Sequence, residues 1–533
     1  MPDTPPKSRF DVVVIGLGIN GAAALRELAL AGYSVLGVDM QDFGAGSSAR
    51  SSRLLHCGLR YLAPGRSAWE FVRHPKRFVT ALKMASQAVE ARNEFVRTEP
   101  HRVDAARLHF PIYKDGPYAA WQVRAAFRLL GAMNVGGVPL DYKMMSRTDA
   151  ARAPMVRLLG SMERLRSVAT YREYQLVWPE RVCVDAVLDA LAAGAMVLNY
   201  ARVKSCARTE QGDWSVRLDC GGGRGSFEVQ APVVLNMAGI WIDDILRTTH
   251  PQASRRVLGT KGAHILVRMP EECRSLGVAT INSKGEPFYC LPWGEFHYFG
   301  PTETLYEGDK EHVVVDDAEV DFLLAEANRL FPSRRVDRPA IVHTWAGVRP
   351  LTYDKDLPLG NRKRVLHDLS RERLEGMYAL TAGPVMTHRS AGREARRVVD
   401  RRSGSLASKG NVALGQHAQI DRDFLEKLRA SAPGAREQLV EIVARERVQH
   451  LSDVFFRRLG AAWFERVEAA DVRRVARVAA PVLDWDEART QVEIAELLRE
   501  LDTTFGYRVA DALDNTNAPR PSPLVETFPA VSR

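Results

Sequence analysis

The residues with the clearest chemical meaning are three glycines near the N-terminus, Gly16, Gly18 and Gly21, spaced as G-x-G-x-x-G around Asn20. Between a strand and a helix, this spacing allows a tight turn, a close approach of the backbone to a pyrophosphate and close packing of helix on strand. Asp39 follows at the distance where a carboxylate accepts hydrogen bonds from an adenosine ribose, which argues against a 2′-phosphate and hence against NADP. The pattern predicts a dinucleotide site and fits both NAD and a flavin.

A serine-rich segment at 41–53 follows this motif directly. It holds four serines, Ser47, Ser48, Ser51 and Ser52, together with Arg53 and small residues. Hydroxyl and guanidinium groups donate hydrogen bonds to phosphate oxygens, so the segment could close over a phosphate. A flexible surface loop has the same composition, and composition alone leaves both interpretations open.

A β-α-β unit must position these groups. A β-branched run at Asp11–Ile15 enters the glycine turn, helical periodicity covers Ile19–Ala31, and a second strand is predicted at Ser34–Val38. Strand-like runs recur at Val233–Met237 and Met377–Thr381, and each ends in small residues. Parallel strands joined by helices predict an α/β fold with a Rossmann-like doubly wound sheet.

Two insertions interrupt this domain, which we place at residues 1–405. Residues 66–150 are mostly helical in pattern, and residues 250–345 read as strands and turns. We interpret them as an interleaved substrate-binding cap built on an antiparallel sheet.

The character of the chain changes near residue 411. Amphipathic helical patterns at Asp421–Ala430, Ala435–Leu459 and Glu487–Thr503 predict a helical C-terminal domain over 411–515. Residues 516–533 are proline-rich without periodicity and are predicted to be disordered.

Composition excludes several classes of protein. The 533 residues carry a formal net charge of +9, but no basic run interleaved with aromatic residues indicates nucleic-acid binding. The six cysteines form no C-x-x-C pair, so we expect free thiols and no metal site. With no signal segment and no apolar run of spanning length, we expect a cytoplasmic protein, attached at most peripherally to the inner face of the cell membrane.

Five further motifs, in order, carry a resemblance to a known family. Residues 51–62 resemble the serine-rich loop and H-G-G-L-R-Y-L signature of FAD-dependent glycerol-3-phosphate dehydrogenases. Residues 235–241 resemble that family's N-A-T/A-G-P-W, 261–264 its K-G-S-H, 291–293 its I-P-W and 345–351 its S-G-V-R-P-L. The similarity covers roughly residues 10–400, and the helical segment after it is placed like the family's C-terminal domain.

The resemblance implies FAD as cofactor and oxidation of sn-glycerol 3-phosphate, or a related polyol phosphate, to dihydroxyacetone phosphate. Electrons would leave for membrane quinone or for oxygen, and membrane attachment would be peripheral. By the same resemblance, Arg349 and Arg362 would bind the phosphate, and His264, ahead of His56, would accept the hydroxyl proton. The glycine motif and the resemblance together predict cofactor contacts at Gly16, Gly18, Asn20, Gly21, Asp39, Ser47, Ser48, Ser52, Arg53, Leu59, Arg60, Ala238, Gly239, Gly383, Val385 and Met386.

The sequence departs from the family at three positions. Pro384 stands where the family's G-G-K-L-T-T-Y-R carries a lysine, Cys57 replaces a glycine, and Arg53 replaces a lysine. The lost cation leaves two alternatives open: a flavin oxidoreductase acting on a non-phosphorylated hydroxy acid or amine, and a catalytically impaired flavin-binding homologue. Seven C-terminal arginines could also offer a basic membrane face: Arg445, Arg447, Arg457, Arg458, Arg473, Arg474 and Arg477.

Overall fold

The computed structural model describes residues 8–62, 73–221, 223–406, 417 and 420–506. The predicted β-α-β unit is present, with strands and helix within one residue of the predicted bounds. The predicted tail at 516–533 lies outside the described residues. Within the described part of the chain, no helix combines the length and the apolarity needed to cross a membrane.

The strands are, in chain order, β1 Val12–Ile15, β2 Val35–Val38, β3 Leu54–Leu55, β4 Val103–Tyr113, β5 Lys143–Ser146, β6 Leu165–Leu176, β7 Met196–Leu198, β8 Ala201–Arg208, β9 Trp214–Cys220, β10 Gly225–Ala231, β11 Val233–Asn236, β12 Val257–Val267, β13 Leu276–Ile281, β14 Pro287–Trp293, β15 Phe296–Gly300, β16 Thr304–Leu305, β17 Ile341–Thr352, β18 Val365–Asp368 and β19 Met377–Thr381. The α-helices are α1 Ile19–Leu30, α2 Leu59–Leu62, α3 Pro75–Thr98, α4 Ala120–Met133, α5 Arg147–Ala150, α6 Pro154–Arg157, α7 Pro179–Ala192, α8 Ile242–Thr249, α9 Asp317–Leu330, α10 His388–Ser403, α11 Phe424–Arg429, α12 Ala435–Arg445, α13 Ala461–Phe464, α14 Ala469–Val482 and α15 Glu487–Phe505.

The first sheet has the order β18-β19-β11-β1-β2-β7 and is parallel except at its β18 edge. Strand β1 is buried along its whole length, because both faces of the sheet are covered. Val12 and Val14 pack among α1, α7 and α10, whereas Val13 and Ile15 pack towards the antiparallel sheet β8–β10 and α8. The α/β fold with a doubly wound sheet is therefore confirmed, with a small antiparallel sheet as its third layer.

The cap is a ten-stranded sheet that draws on both insertions and also on β3 and β6, which lie outside the predicted cap segments. Its pairs are antiparallel apart from β4 with β13. The mostly helical prediction for 66–150 missed β4, whose eleven residues lie between α3 and α4. The second insertion also holds a helix, α9, begun by the Asp316 side chain, which accepts from the Glu319 N–H at 2.9 Å. The sequence carries local signals for this helix, a capping pair at Asp316 and Glu319 and buried apolar residues at helical spacing, which the strand prediction overlooked.

The C-terminal region is helical, but the predicted helix Ala435–Leu459 is broken. Helix α12 ends at Arg445, and a buried single turn of π-helix covers Asp453–Arg458. Arg457 and Arg458 are 6% and 0% exposed, so they belong to the interior and the predicted basic face is wrong at these two positions.

Candidate active site

The glycine turn between β1 and α1 has the close contacts that its spacing predicts. Gly16 adopts φ +89°, and a Cβ there would lie 2.7 Å from the Ala238 Cα. A Cβ on Gly21 would lie 1.8 Å from the Gly16 carbonyl oxygen, so helix and strand approach closely only because Gly21 lacks a side chain. The helix N-terminus consequently opens onto a cavity of about 370 Å³.

Asp39, at the end of β2, is held by backbone N–H groups. Its Oδ2 accepts from Leu17 at 2.6 Å and its Oδ1 from Gln41 at 2.9 Å. Burial outweighs these two bonds and raises the pKa of Asp39 to about 7. The carboxylate lines the cavity at the ribose position of the sequence fingerprint.

The serine-rich segment joins the two halves of the molecule. Ser48 Oγ accepts from the Ile19 N–H at 2.9 Å, at the start of α1. Ser47 Oγ donates to the Val348 carbonyl at 2.5 Å, and Ser52 Oγ lies 3.1 Å from His264 Nε2. The hydroxyls therefore fix the segment between the glycine turn and the cap.

Arg53 borders the cavity, but its guanidinium turns into the protein. It lies between the rings of Trp293 and Trp463, at 4.1 and 4.4 Å from their centroids, and it pairs with Glu180 at 3.3 Å. Its charge is therefore compensated by Glu180 of α7 and by one aromatic ring each from the cap and the C-terminal helices.

Two glycines on facing cap strands make room for arginines. Gly262 on β12 pairs with Gly347 on β17. A Cβ on Gly262 would lie 2.2 Å from the guanidinium of Arg349, and one on Gly347 would lie 2.7 Å from the Cβ of Arg50. The K-G-x-H and G-V-R-P motifs therefore act together: Gly262 of the first leaves a gap, and Arg349 of the second reaches the cavity through that gap.

Arg60, Arg349 and Arg362 meet at the end of the cavity away from Asp39. Burial, together with the neighbouring Arg362 and Arg60 charges, lowers the pKa of Arg349 to about 10. Arg362 is paired with Glu303, whereas Arg349 and Arg60 have no ion pair within the described residues. Such a cluster binds an anion well, since charge-assisted hydrogen bonds replace water around it.

Two buried histidines line the same end. Burial and the Arg60 charge lower the pKa of His56 to about 3, and both of its ring nitrogens lack hydrogen-bond partners within the described residues. Burial and the Arg349 charge lower the pKa of His264 well below its usual range. His264 stacks on Trp345 at 4.8 Å, and its Nδ1 is also unpartnered in that part of the chain. Both imidazoles are neutral at neutral pH and able to accept a proton.

Pro384 lines the cavity one residue before the turn Val385–Thr387. Its φ of −66° and extended ψ suit proline, and its carbonyl accepts from the Thr387 N–H at 2.9 Å, so the turn forms without the family's lysine. The Cys57 side chain lies outside the cavity lining, in the core beneath α2.

The cavity brings together seventeen of the predicted site residues, which come from distant parts of the chain: Gly16, Gly18, Asn20, Asp39, Ser47, Ser48, Ser52, Arg53, His56, Arg60, Ala238, Gly239, His264, Arg349, Arg362, Gly383 and Val385. Gly21, Leu59 and Met386 lie outside its lining. Sequence reasoning missed Glu303 and Tyr289. Glu303 belongs to no recognisable sequence motif, and its importance follows only from its ion pair with Arg362 in the structure.

These residues fit a flavin dinucleotide. The helix N-terminus and the serine hydroxyls suit the pyrophosphate, and Asp39 suits the ribose. Asn20 Oδ1 and the His56 nitrogens are buried without partners in the described residues, as expected of groups that face a ligand.

Sequence and structure comparisons agree with this assignment. Residues 11–395 match the family model described as FAD dependent oxidoreductase. A glycerol-3-phosphate dehydrogenase from Synechocystis is 29% identical over 413 residues, covering 74% of this chain and 70% of that protein. An alpha-glycerophosphate oxidase from Enterococcus casseliflavus is 28% identical, covering 65% of this chain but only 55% of its own length.

Among solved structures, the glycerol-3-phosphate dehydrogenase from Bacillus halodurans, complexed with FAD, superposes with a TM-score of 0.69 at 20% identity. The match covers 93% of this chain and 95% of that one, which shows a shared fold. Because the family model matches well over half of the sequence, the chain belongs to the family of FAD dependent oxidoreductases and uses FAD as its cofactor.

Proposed function

We propose that this enzyme oxidises sn-glycerol 3-phosphate, or a closely related polyol phosphate, to the corresponding ketone. The observation that carries the proposal is the meeting of Arg60, Arg349 and Arg362 with two neutral histidines at one end of the cofactor cavity. A phosphate dianion is costly to remove from water unless cations pair with it, and two of these arginines are free of ion pairs in the described residues. The names of the relatives support the same substrate.

The chain's own residues divide the work. Arg349 and Arg60 bind the phosphate, and the neutral imidazole of His264 or His56 accepts the hydroxyl proton on a free ring nitrogen. Bound FAD supplies the hydride acceptor. The phosphate charge offsets the arginine charges that lower both histidine pKa values, so binding of substrate makes the imidazoles better bases.

The test is an anaerobic titration of the purified holoenzyme with glycerol 3-phosphate, followed by flavin absorbance. Bleaching at micromolar to millimolar substrate, the range typical of enzymes, supports the proposal. A flavin that stays oxidised with glycerol 3-phosphate but bleaches with a hydroxy acid or an amine contradicts it.

A second candidate is a non-phosphorylated hydroxy acid. Glu303 already neutralises Arg362, and Pro384 contributes no cation. The pocket is therefore less cationic than three arginines suggest, which favours a carboxylate monoanion over a phosphate dianion. The titration above separates the two substrates directly.

The Pro384→Lys variant should bind glycerol 3-phosphate more tightly. A lysine there would add a charge-assisted contact at the cavity wall, and we expect KM to fall about tenfold. Pro384→Ala is the control, since it removes the ring without adding charge. A KM that is unchanged or higher in Pro384→Lys, with FAD content intact, would place the phosphate elsewhere.

FAD affinity should depend on pH through Asp39. In the protein without FAD, the Asp39 carboxyl has a pKa of about 7. In the complex, ribose hydroxyls that donate hydrogen bonds to the carboxylate stabilise its ionised form. Affinity should therefore be constant above about pH 8 and fall by up to about tenfold per pH unit below 7. Titrating apoprotein with FAD at several pH values checks this, and Asp39→Asn should bind weakly and lose the dependence. Affinity that rises towards acid pH in the wild type would show the opposite linkage.

We further propose that electrons pass from the reduced flavin to quinone or another acceptor, and that the enzyme works at the inner face of the cell membrane. The basis is the family resemblance of the motifs. Comparing turnover with a lipophilic quinone, with oxygen and with a water-soluble dye identifies the acceptor.

A further inference from the structure

A small pocket adjoins the substrate end of the cofactor cavity. Its volume is about 30 Å³, and His56, Arg60 and Tyr289 line both spaces. Among the described residues that line the small pocket alone, Glu173 of β6 carries the one carboxylate, and this residue is 2% exposed. A pocket of this size holds a water molecule when polar groups line it. One water can therefore bridge His56 and Glu173.

The pairing of β3 with β6 brings these two residues together. Leu55 pairs with Tyr174, so the next position along the same antiparallel register puts His56 opposite Glu173. Residues opposite each other in such a pair have Cβ atoms about 5 Å apart on the same face of the sheet. Strand β3 ends at Leu55, but the Cys57 N–H donates to both Glu173 oxygens, at 2.8 and 2.9 Å, which keeps the chain close to β6.

The surroundings of Glu173 allow it to exchange a proton near neutral pH. Burial raises the pKa of Glu173 to about 7, although the Arg92 charge and the Cys57 N–H act in the opposite direction. Arg92 Nε lies 3.8 Å from Glu173 Oε2, which is beyond hydrogen-bond distance. The other titratable neighbours are the Cys57 thiol and the Tyr171 hydroxyl, and burial raises both of their pKa values well above the usual range. Between about pH 6 and 8, Glu173 therefore changes its protonation while these neighbours do not.

His56 cannot retain a proton at neutral pH. Burial and the charges of Arg60 and Arg362 lower the pKa of His56 to about 3. The protonated imidazole is therefore a strong acid, and the Glu173 carboxylate is the stronger base of the two. Transfer of a proton from His56 to Glu173 is favourable, because it moves positive charge away from two arginines.

We propose that His56 takes the hydroxyl proton of the substrate and that Glu173 receives it through one water molecule in the small pocket. This role rests on the proposed alcohol oxidation. The substrate C–H bond breaks as hydride, which bound FAD takes, and the O–H electron pair becomes the second bond of the carbonyl. The released proton binds a ring nitrogen of His56, the imidazolium gives a proton to the water, and the water gives one to a Glu173 oxygen. Glu173 becomes a neutral acid and acts only through His56, without touching the substrate.

His264 has no comparable route for a proton. Its Nε2 lies 3.1 Å from Ser52 Oγ, and its pKa is lowered by burial and by the charges of Arg349 and Arg53. No carboxylate forms an ion pair with His264 within the described residues. A proton on His264 would remain beside two cations, so the small pocket favours His56 as the proton acceptor.

The first test compares Glu173→Gln with wild type by stopped-flow flavin reduction, using FAD-loaded enzyme and saturating glycerol 3-phosphate between about pH 5 and 9. The wild-type rate should rise with pH through about 7, because only the ionised carboxylate accepts a proton. Glu173→Gln keeps the side-chain shape and one acceptor oxygen for the Cys57 N–H. It should be at least about tenfold slower at about pH 8 and should lose the rise. Glu173→Asp should recover part of the rate together with the rise.

The matched control is Glu326→Gln. Glu326 is also a buried glutamate that accepts a backbone N–H, from Ser283 at 3.1 Å, and it lies on α9 outside both pockets. We expect it to keep the wild-type rate and pH dependence. The substrate phosphate titrates at about pH 6 in every variant alike, so only differences between variants are assigned to Glu173. A Glu173→Gln variant that matches the wild-type rate, or that is slow but keeps the wild-type pH profile, would overturn the proposal.

Infrared difference spectra of the resting enzyme between about pH 5 and 9 need no substrate. Wild type should show a carboxyl band that titrates at about pH 7 and is missing from Glu173→Gln. Identical titrations would overturn the role of Glu173 even if glycerol 3-phosphate is the substrate. Bleaching by a hydroxy acid instead of glycerol 3-phosphate would contradict the proposed function alone, and the stopped-flow comparison would then use that acid. Bleaching by an amine only would overturn both, because an amine has no hydroxyl proton to pass on.

Discussion

Replacing Arg349 by alanine is expected to lower kcat/KM for glycerol 3-phosphate by about 100-fold or more while FAD stays bound. The Arg349 guanidinium reaches the cavity through the gap at Gly262 and has no ion pair within the described residues. Removing it leaves a buried phosphate without one of its cations, and both binding and orientation of the reacting carbon suffer. Steady-state kinetics with a soluble dye as acceptor measures the effect.

Three comparisons sharpen this prediction. Arg349→Lys should recover part of the activity, because it keeps the charge but loses the planar fork. Arg338→Ala is the control, since Arg338 is an exposed arginine that pairs with Asp317 outside the site. Unphosphorylated glycerol should be turned over poorly by both Arg349→Ala and wild type, with little difference between them. An equal fold-loss for glycerol and glycerol 3-phosphate would show that Arg349 does not bind the phosphate.

Replacing Asp42 by alanine is expected to lower the free energy of unfolding by about 3–5 kcal/mol. The fully buried Asp42 accepts from Arg457 at 2.6 Å and from Arg458 at 2.7 and 2.9 Å. Without the carboxylate, the buried Arg458 loses its shortest ion pair, and the buried Arg457 loses one of its two carboxylates and keeps Asp453 at 2.6 Å. Urea unfolding, followed by tryptophan fluorescence and by release of FAD, measures the change.

The matched control for Asp42 is Asp317→Ala. Asp317 also pairs with an arginine, but its side chain is 90% exposed, so its loss should cost about 0–1 kcal/mol. Similar losses for the two variants would mean that the Asp42 cluster does not join the cofactor domain to the C-terminal helices.

The same ion cluster sets a pH window for stability. Burial by itself would raise the pKa of Asp42, but the Arg458 and Arg457 charges lower it to about 2, below the value of about 3.9 expected in the unfolded chain. A lowered pKa stabilises the fold above the unfolded value. The contribution should therefore be complete above about pH 4 and disappear as pH falls towards 2, and Asp42→Ala should flatten stability across that range.

The parts of this protein that were predictable from sequence are local ones. The turn at Gly16 and the strand Val12–Ile15 follow from steric limits and hydrophobic patterning over a few neighbouring residues. The helix–strand contact at Gly21 is equally local, because its partner atom is only five residues away. The family resemblance extended this to Arg349 and His264, since each stands in a short motif.

Prediction failed where long-range packing overrides local pattern. Strand β4 pairs with β6, some 60 residues later in the chain. The stabilisation of β4 comes from this pairing, and the hydrophobic periodicity of β4 itself does not indicate it. The break after Arg445 likewise depends on surfaces supplied by distant segments. Helix α9 is different, because its capping pair and helical spacing are local signals that the strand prediction overlooked. Arg457 and Arg458 were predicted to be exposed because arginine usually is. Both are buried beside Asp42, which is more than 400 residues away in the sequence.

The sequence by itself determined the dinucleotide turn and the motifs that carry the candidate catalytic groups, because each depends on contacts within a few residues. It also predicted the doubly wound sheet, since strands that alternate with helices imply one, although the strands themselves pair over long distances along the chain, as β1 does with β11. Only the tertiary structure decided which arginine charges remain available to bind an anionic substrate. It paired Glu303 with Arg362, turned Arg53 away between two tryptophans and left Arg349 facing the cavity. Electrostatic interactions depend on distance in space and on local burial, and neither can be read from separation along the chain.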